Sequence, residues 1–236
     1  MPGEADPTSA GLVEAVLGLY ARGLFPMADT EGVSPGETAP IGVYRPERRG
    51  LFRLEEGGLR VTRSLRQRVR SGRFRVTADR AFDETVAACS REEAEASSPE
   101  DGVWIDPQMR TIYRELHRRG NAHSVEAWLA RPGGDETLVG GLFCVTLGGL
   151  CAGESMFSRP DLGGTDASKV CLVHLWHHLR VHGYGVLDCQ FATEHLASLG
   201  AIEIEQERYE IELPGVLARG GAWGEFDPDL AGSAIT

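Results

Sequence analysis

The chain contains a single lysine. Its 24 basic residues are otherwise all arginine, which leaves Lys169 alone. An ammonium is a compact point charge and a guanidinium a planar fork, so position 169 is marked as one that needs the former. Other things are scarce as well. The five cysteines (89, 144, 151, 171 and 189) form no C-x-x-C pair, which argues against a disulfide framework or a zinc knuckle and predicts reduced, mostly buried thiols. No apolar run approaches the ~20 residues of a membrane span. The acidic start Met1-Pro2-Gly3-Glu4-Ala5-Asp6 leads into no signal-peptide core, so a cytoplasmic location with no membrane contact is expected. Positive charge is also short: 24 bases against 35 acids give a net charge of −11. That argues against non-specific nucleic-acid binding by the whole surface. No internal repeat is visible.

What is present describes an ordinary globular chain of 236 residues, 42% hydrophobic and 25% charged, long enough for one large domain or two small ones. Periodicity predicts a short amphipathic helix over residues 12–22, ended by Gly23. Residues 28–50, rich in Gly, Pro and Glu, read as loop with room for one short strand. Thr62 or Ser64 is placed to cap a basic helix that ends near Gly72. A strand over 74–77, a helix over 81–89, an acidic surface loop over 92–102 and a helix over 107–119 closed by Gly120 follow. Strands over 123–129 and 138–147 flank the turn Pro132-Gly133-Gly134-Asp135, and Gly148-Gly149 makes a hairpin into a strand over 150–157. After a loop, Asp166 is placed to cap a helix over 167–182, ended by Gly183. A buried strand over 185–191 and a short helix over 194–199 come next. Residues 202–204 and 209–213 are expected to close the sheet, and the tail after Pro214 to be loose.

The chemistry sits in polar groups inside apolar strands. Glu154, Asp188 and Gln190 each interrupt such a run, and burying them costs on the order of a few kcal/mol apiece unless they are paired. Alternation along Val186-Leu187-Asp188-Cys189-Gln190-Phe191 puts Asp188 and Gln190 on one face. Asp188 is expected to accept from the Gln190 amide NH2, leaving the Gln190 carbonyl oxygen as a fixed acceptor suited to an incoming amine. The alternative is a structural hydrogen-bond pair that orders the sheet. Glu154 falls on a face with Leu150, Ala152 and Met156, where a partner across the sheet is expected. Lys169 opens a helix, where the dipole disfavours a cation. Either a bridge to Glu154 or Asp166, or a substrate carboxylate or phosphate, would account for it. His174, His178 and His182 recur four apart, as a metal site would have them, but no Cys or acid completes a set and packing is the simpler account. Cys189 with His195 makes a poor nucleophile–base pair, since alternation turns Cys189 away from Asp188. Between Arg60 and Arg75 lie seven arginines and no acid. They form either a solvated helix face or one defined polyanion contact.

These residues also carry a resemblance. The pieces are Tyr20-Ala21-Arg22-Gly23-Leu24-Phe25-Pro26-Met27, Arg63-Ser64-Leu65-Arg66, Val103-Trp104-Ile105, Leu116-His117, His123-Ser124-Val125-Glu126-Ala127-Trp128, Leu138-Val139-Gly140-Gly141-Leu142, Gly153-Glu154-Ser155-Met156-Phe157-Ser158, Ala167-Ser168-Lys169, Asp188-Cys189-Gln190 and His195-Leu196-Ala197-Ser198-Leu199-Gly200-Ala201. In order and spacing the chain from about Tyr20 to Tyr209 resembles the leucyl/phenylalanyl-tRNA–protein transferases. The resemblance implies an α+β fold, a GNAT-like mixed sheet flanked by helices, with a small N-terminal domain over residues 1–61 and the catalytic domain over 62–236. It implies transfer of leucine or phenylalanine, and methionine less well, from aminoacyl-tRNA to the N-terminal α-amine of proteins that begin with Arg or Lys, creating an N-degron. The enzyme would be a monomer that uses no cofactor and no metal, because the ester is already activated. Carried over residue by residue, Gln190 receives or orients the amine proton, Asp188 supports Gln190, and Glu154 holds the network. Leu142, Gly153, Ser155, Met156, Leu172 and Leu187 line the aminoacyl pocket. Trp104 and Met27 meet the tRNA 3′ adenosine, and Lys169 contacts substrate. Arg63, Arg66, Arg68, Arg70 and Arg73 hold the acceptor stem. Met27 stands where some members have Trp, and Cys151 at a pocket position taken by an aromatic elsewhere.

Three rival readings remain. An acyl-CoA-dependent N-acetyltransferase of the GNAT class needs an R/Q-x-x-G-x-G/A turn for the pyrophosphate. The nearest match, His117-Arg118-Arg119-Gly120-Asn121-Ala122, starts with His and precedes the sheet. An aminoacyltransferase acting on cell-wall precursors would share the tRNA but not the acceptor. A non-catalytic tRNA-binding module would need the arginines but not Asp188 and Gln190.

Overall fold

In a computed structural model the described residues are 7–29, 33, 39–90 and 104–235; the acidic segment expected over 92–102 and Val103 lie outside them. Helix α1 (Pro7–Tyr20) ends in a Schellman motif. Gly23, at φ +76°, donates to Tyr20 O while Leu24 donates to Leu19 O. Two short strands, β1 (Phe25–Ala28) and β2 (Ile41–Tyr44), pair antiparallel. They are followed by β3 (Arg48–Arg53), so the stretch 28–50, expected to hold one short strand, holds β2 whole, the last residue of β1 and the start of β3. Helix α2 (Arg63–Arg70) is capped by Thr62, whose hydroxyl accepts from Leu65 N–H. Strand β4 (Arg75–Ala78) and helices α3 (Phe82–Cys89) and α4 (Pro107–Arg118) come next. Asp106 caps α4 with Pro107 at its first position. Strands β5 (Ala122–Ala130), β6 (Glu136–Leu147) and β7 (Leu150–Ser158) form a meander. Helix α5 (Ala167–Val181), β8 (Val186–Gln190), α6 (Glu194–Ser198), β9 (Ile202–Glu205), α7 (Gln206–Leu217) and α8 (Leu230–Ala234) complete the described chain.

Seven strands make one mixed sheet in the order β4-β5-β6-β7-β8-β3-β9. Every neighbouring pair is antiparallel except β7 and β8. Helices cover both faces, as the α+β expectation requires. Val13, Val16 and Tyr20 of α1, Met109, Ile112 and Tyr113 of α4 and Tyr209 and Leu213 of α7 pack on one face. Leu65 of α2, Val170, Leu172, Leu175 and Leu179 of α5 and Ala231 of α8 pack on the other. Strand β3 precedes residue 62 yet lies between β8 and β9, so the sheet draws on both sides of the expected 61/62 boundary.

Two expectations at the C-terminal end are corrected. Residues 209–213 are not a strand: they lie in α7, where Gln206, Tyr209 and Leu213 are buried at helical spacing. The tail after Pro214 is not loose either. Trp223 stacks on His123 at 4.0 Å and packs on His178 at 4.5 Å, and Phe226 packs on the α5 core. That contact also explains His174, His178 and His182. Burial pushes His174 and His178 down to about 4, so they are neutral packing groups. Asp166 does not cap α5; it sits in the left-handed region at φ +65° and makes no cap bond.

Candidate active site

The site grows out of the one parallel pair in the sheet. Register between β7 and β8 runs only from Leu150↔Val186 to Ala152↔Asp188. Beyond that β7 continues to Ser158 along β6, while β8 stays with β3 up to Gly50↔Gln190. The two strands therefore splay. A cavity of about 100 Å³ opens in the gap. Leu142, Met156, Leu172, Leu187 and Phe52 give it an apolar wall, and Gly153, Ser155, Glu154, Cys189 and Gln190 reach it from the two diverging strands.

Glu154 enters this cavity because of a β-bulge. Phe143 pairs with Ser155 and Cys144 with Gly153, which leaves Glu154 as the extra residue. The bulge also corrects the predicted alternation. Leu150 and Ala152 belong to one face, but Met156, past the bulge, packs on the other with Leu142. The Glu154 carboxylate accepts from Tyr20 Oη at 2.8 Å and Tyr113 Oη at 3.0 Å. Burial raises its pKa to about 7, against the two phenol hydrogen bonds, which lower it.

Asp188 faces the same side of the sheet but is fully enclosed. Arg49, equally buried, forks onto it with Nε at 2.9 and 3.0 Å and Nη2 at 2.6 Å. Tyr209 Oη adds a bond of 2.7 Å. Arg49 is itself held between the rings of Phe25 and Tyr209, 4.9 and 4.8 Å from its guanidinium carbon, and donates to Gly23 O. Burial disfavours its charge, but Asp188 outweighs that, and the net shift of Arg49 is upward.

The expected bond from the Gln190 amide to Asp188 is replaced by another. The Gln190 backbone N–H donates to Asp188 Oδ1 at 2.9 Å. The side-chain amide, oriented by its surroundings, donates through its nitrogen to Gly153 O at 2.9 Å and Cys189 O at 3.0 Å. With the nitrogen so engaged, the other amide atom is Oε1, and the groups that hold the amide are not the expected Asp188 carboxylate but two main-chain carbonyls. Gln190 lies at φ +56°, a left-handed conformation that costs a non-glycine residue ~1–2 kcal/mol. Phe191 N–H closes the turn onto Cys189 O at 2.6 Å. Gly50 opposite makes the turn possible, because a Cβ there would lie 2.4 Å from Ala192 N.

The remaining predicted residues are placed as follows. Trp104 meets Tyr113 edge-on at 6.4 Å, and its carbonyl accepts from Ala28, next to Met27. Both lie outside the cavity wall. Lys169 Nζ donates to Asp166 Oδ1 at 2.8 Å, each side chain about a third exposed, so the bridge to Asp166 is the one formed. Arg63, Arg70 and Arg73 are exposed and Arg66 and Arg68 half-buried on and after α2; Arg73 donates to Gly163 O. None of them lines the cavity. Arg75 is turned to Glu136. Cys151 is buried in the core behind the wall and does not line the cavity, which corrects its expected pocket position. Cys189 does line it, but burial pushes its thiol up, away from nucleophilic use. Among the described residues, Asp79, His117 and His123 bring ligand-capable atoms within 4.8 Å. Those atoms are already engaged: His123 with Asp79 and Gly120 O, His117 with Ala122 O. Sequence reasoning missed Arg49, Tyr20, Tyr113 and Tyr209 as site residues.

An apolar cavity ending in an oriented carboxamide and a carboxyl that titrates near neutrality suits an acyltransferase that hands an apolar acyl group to an amine. The family model for leucyl/phenylalanyl-tRNA protein transferase matches residues 53–214. Proteins named leucyl/phenylalanyl-tRNA–protein transferase are similar along most of the chain. The one from Rhizorhabdus wittichii is 46% identical over 216 residues, 89% of this chain and 78% of the relative. Those from Gluconobacter oxydans and Caulobacter vibrioides are 43% identical over 210 residues, 89% of this chain and 84% and 87% of theirs. The solved structure of FemX aligns at 12% identity and a TM-score of 0.49, over 85% of this chain and 71% of that one. The chain belongs to the leucyl/phenylalanyl-tRNA–protein transferase family.

Proposed function

We propose that this protein moves leucine, phenylalanine and, less well, methionine from aminoacyl-tRNA to the N-terminal α-amine of proteins that begin with Arg or Lys, and that the product is an N-degron. The observation that carries the reading is the cavity in the strand splay, apolar along its wall and ending at the Gln190 amide. A large apolar side chain fills such a wall. The wall discriminates weakly, at ~1–3 kcal/mol per methylene, which suits a donor set of several apolar residues.

In the proposed reaction the α-amine nitrogen bonds to the ester carbonyl carbon, and the carbon–oxygen bond to the tRNA ribose breaks. Gln190 Oε1 holds the amine by a hydrogen bond and orients its lone pair, but a carboxamide does not keep the proton. The Glu154 carboxylate takes it and returns it to the departing ribose oxygen. Asp188 touches neither substrate; with Arg49 it fixes the backbone of Gln190 and is a positioning residue. Free α-amines titrate near 8, so a usable fraction is neutral and positioning supplies much of the rate. Trp104 and Met27 would pack on the 3′ adenosine, Lys169 would touch substrate at the mouth of α5, and Arg63, Arg66, Arg68, Arg70 and Arg73 would hold the acceptor stem. A cytoplasmic monomer is the form in which we expect the protein to act.

The acetyltransferase alternative loses support from geometry. His117 to Ala122 span the C-terminal end of α4, where Gly120 at φ +75° turns the chain and carbonyls rather than amides are left over. The test is transfer of labelled leucine and phenylalanine from charged tRNA to an Arg-starting peptide, with an Asp-starting peptide and Gln190→Ala as controls. Transfer to the Arg peptide that falls at least a hundredfold in the variant supports the reading. Equal transfer to both peptides overturns the acceptor assignment, and no transfer overturns the activity.

A further inference from the structure

The splay that makes the cavity also leaves half of a strand unpaired, and its main chain has a defined polarity. Arg159 N–H donates to Val139 O, two residues beyond the Gly141↔Phe157 pair. In an antiparallel ladder bonded pairs alternate with non-bonded ones. The main-chain groups of Ser155 and Phe157 are therefore spent on β6. Those of Met156 and Ser158 point the other way, into the gap that β8 has left. One strand position earlier the gap is already bridged: the Gln190 side chain donates to Gly153 O, as a neighbouring strand would. Past the bulge at Glu154, the next groups along the same edge are Met156 O and Ser158 N–H.

We infer that the acceptor polypeptide docks as a short added strand on this open edge of β7, parallel to it, with its α-amine at Gln190 Oε1. The inference rests on the acyl-transfer reading above and names how the acceptor is held. In a parallel ladder one residue donates its N–H to a carbonyl and accepts, through its own carbonyl, from an N–H two residues further on. Met156 O and Ser158 N–H form such a pair, centred on Phe157. With the amine-bearing residue level with Ser155, strand periodicity puts the third residue of the acceptor opposite Phe157. In this register the edge offers the acceptor Met156 O and the donor Ser158 N–H at peptide spacing. A polypeptide complements that; the polyanionic tRNA end does not, and the arginines expected to meet it lie elsewhere, on α2. Main-chain recognition of this kind gives affinity without reading side chains, so many proteins could share the site and be sorted by their first residue alone.

The test uses the intact enzyme and a set of peptides that begin with Arg and are N-methylated at one amide each, from residue 2 to residue 6. Methylation at residue 3 is expected to raise KM at least tenfold with kcat within twofold, and methylation at residues 5 and 6 to leave both within twofold. Replacing the same amide by an ester, which removes the donor without adding bulk, should raise KM likewise. A rise confined to residue 2 or 4 supports the added strand in the adjacent register. If the unmodified peptide is a good acceptor and no methylation at residues 2 to 4 moves KM by more than twofold, the docking mode is overturned while the transfer reaction stands. If the unmodified peptide accepts nothing, the acceptor reading fails and this inference with it.

Discussion

Asp188 and Glu154 are two carboxylates on one side of one sheet, in strands that are neighbours until they splay, and they are treated in opposite ways. Asp188 is closed off from solvent and answered by a full charge, the forked guanidinium of Arg49, plus a phenol and a backbone N–H. Glu154 lines the cavity and is hydrogen-bonded only by dipoles, the hydroxyls of Tyr20 and Tyr113, with the Arg49 charge acting on it from a distance as a lesser influence. The first is committed to structure. The second is left at about 7, where its charge changes within the working range. Burial alone does not decide what a carboxylate does; the kind of partner does.

The largest effect expected is on the committed carboxylate. Arg49→Met leaves Asp188 enclosed without a counter-charge, and breaking such a pair costs about 3–5 kcal/mol. Urea unfolding should read that loss directly, and Arg49→Lys should recover only part of it, because an ammonium cannot reproduce the fork. A cost below about 1 kcal/mol would remove the distinction drawn between the two carboxylates.

Next comes Glu154→Gln. In the wild type, kcat/KM is expected to rise with pH through about 7. In the variant that limb should vanish, with a loss of roughly 10²–10⁴ in rate. Stability gives an independent reading. The folded pKa of Glu154 lies above its ordinary 4.5, so the folded state holds the proton more tightly. The contribution is present below about 4.5 and lost as pH rises toward 7, on the order of 1 kcal/mol per pH unit. Glu154→Gln should flatten that slope in unfolding measured from pH 5 to 7. The smallest effect sharpens the comparison: Tyr113→Phe removes one of the two donors that lower Glu154, so the activity limb should move above its wild-type position. The stability cost should be about 1 kcal/mol, and an unmoved limb would mean that Glu154 is not the group being titrated.

Most of the scaffold was legible because its signals are local. The cap at Thr62, the turn at Gly148-Gly149 and the glycines that close α1, α4 and α5 each act within a few residues. The wall residues Leu142, Met156, Leu172 and Leu187 were expected only through the family resemblance; they lie on four separate elements, and no local pattern joins them. What escaped was long-range. Arg49 sits among Arg45, Arg48 and Arg53, all of which pair with surface acids, and nothing nearby marks it as the buried one. Tyr20 and Tyr113 lie on helical stripes that read as ordinary core, and Tyr209 was expected in a strand. The bulge at Glu154 has no local signature in Gly153-Glu154-Ser155, and it moved Met156 to the other face. Helix α7 was misread because Pro214 looks like a stop; it lies one turn from the end of the helix instead.

The placement of β3 has a consequence in time. Arg49 and Asp188 are 139 positions apart, and Tyr209 lies further still. At ~5–20 residues per second, a ribosome needs on the order of 10 s to deliver the partner after the arginine has emerged. Until β8, β9 and α7 are made, β3 has no strand on either side in the main sheet and its guanidinium has no carboxylate. The turn that presents Gln190 is thus among the last features to be set. Nascent and truncated chains that stop short of Tyr209 should carry a formed meander of β5, β6 and β7 beside an unassembled β8-β3-β9 edge, a species that hydrogen exchange on stalled chains would resolve.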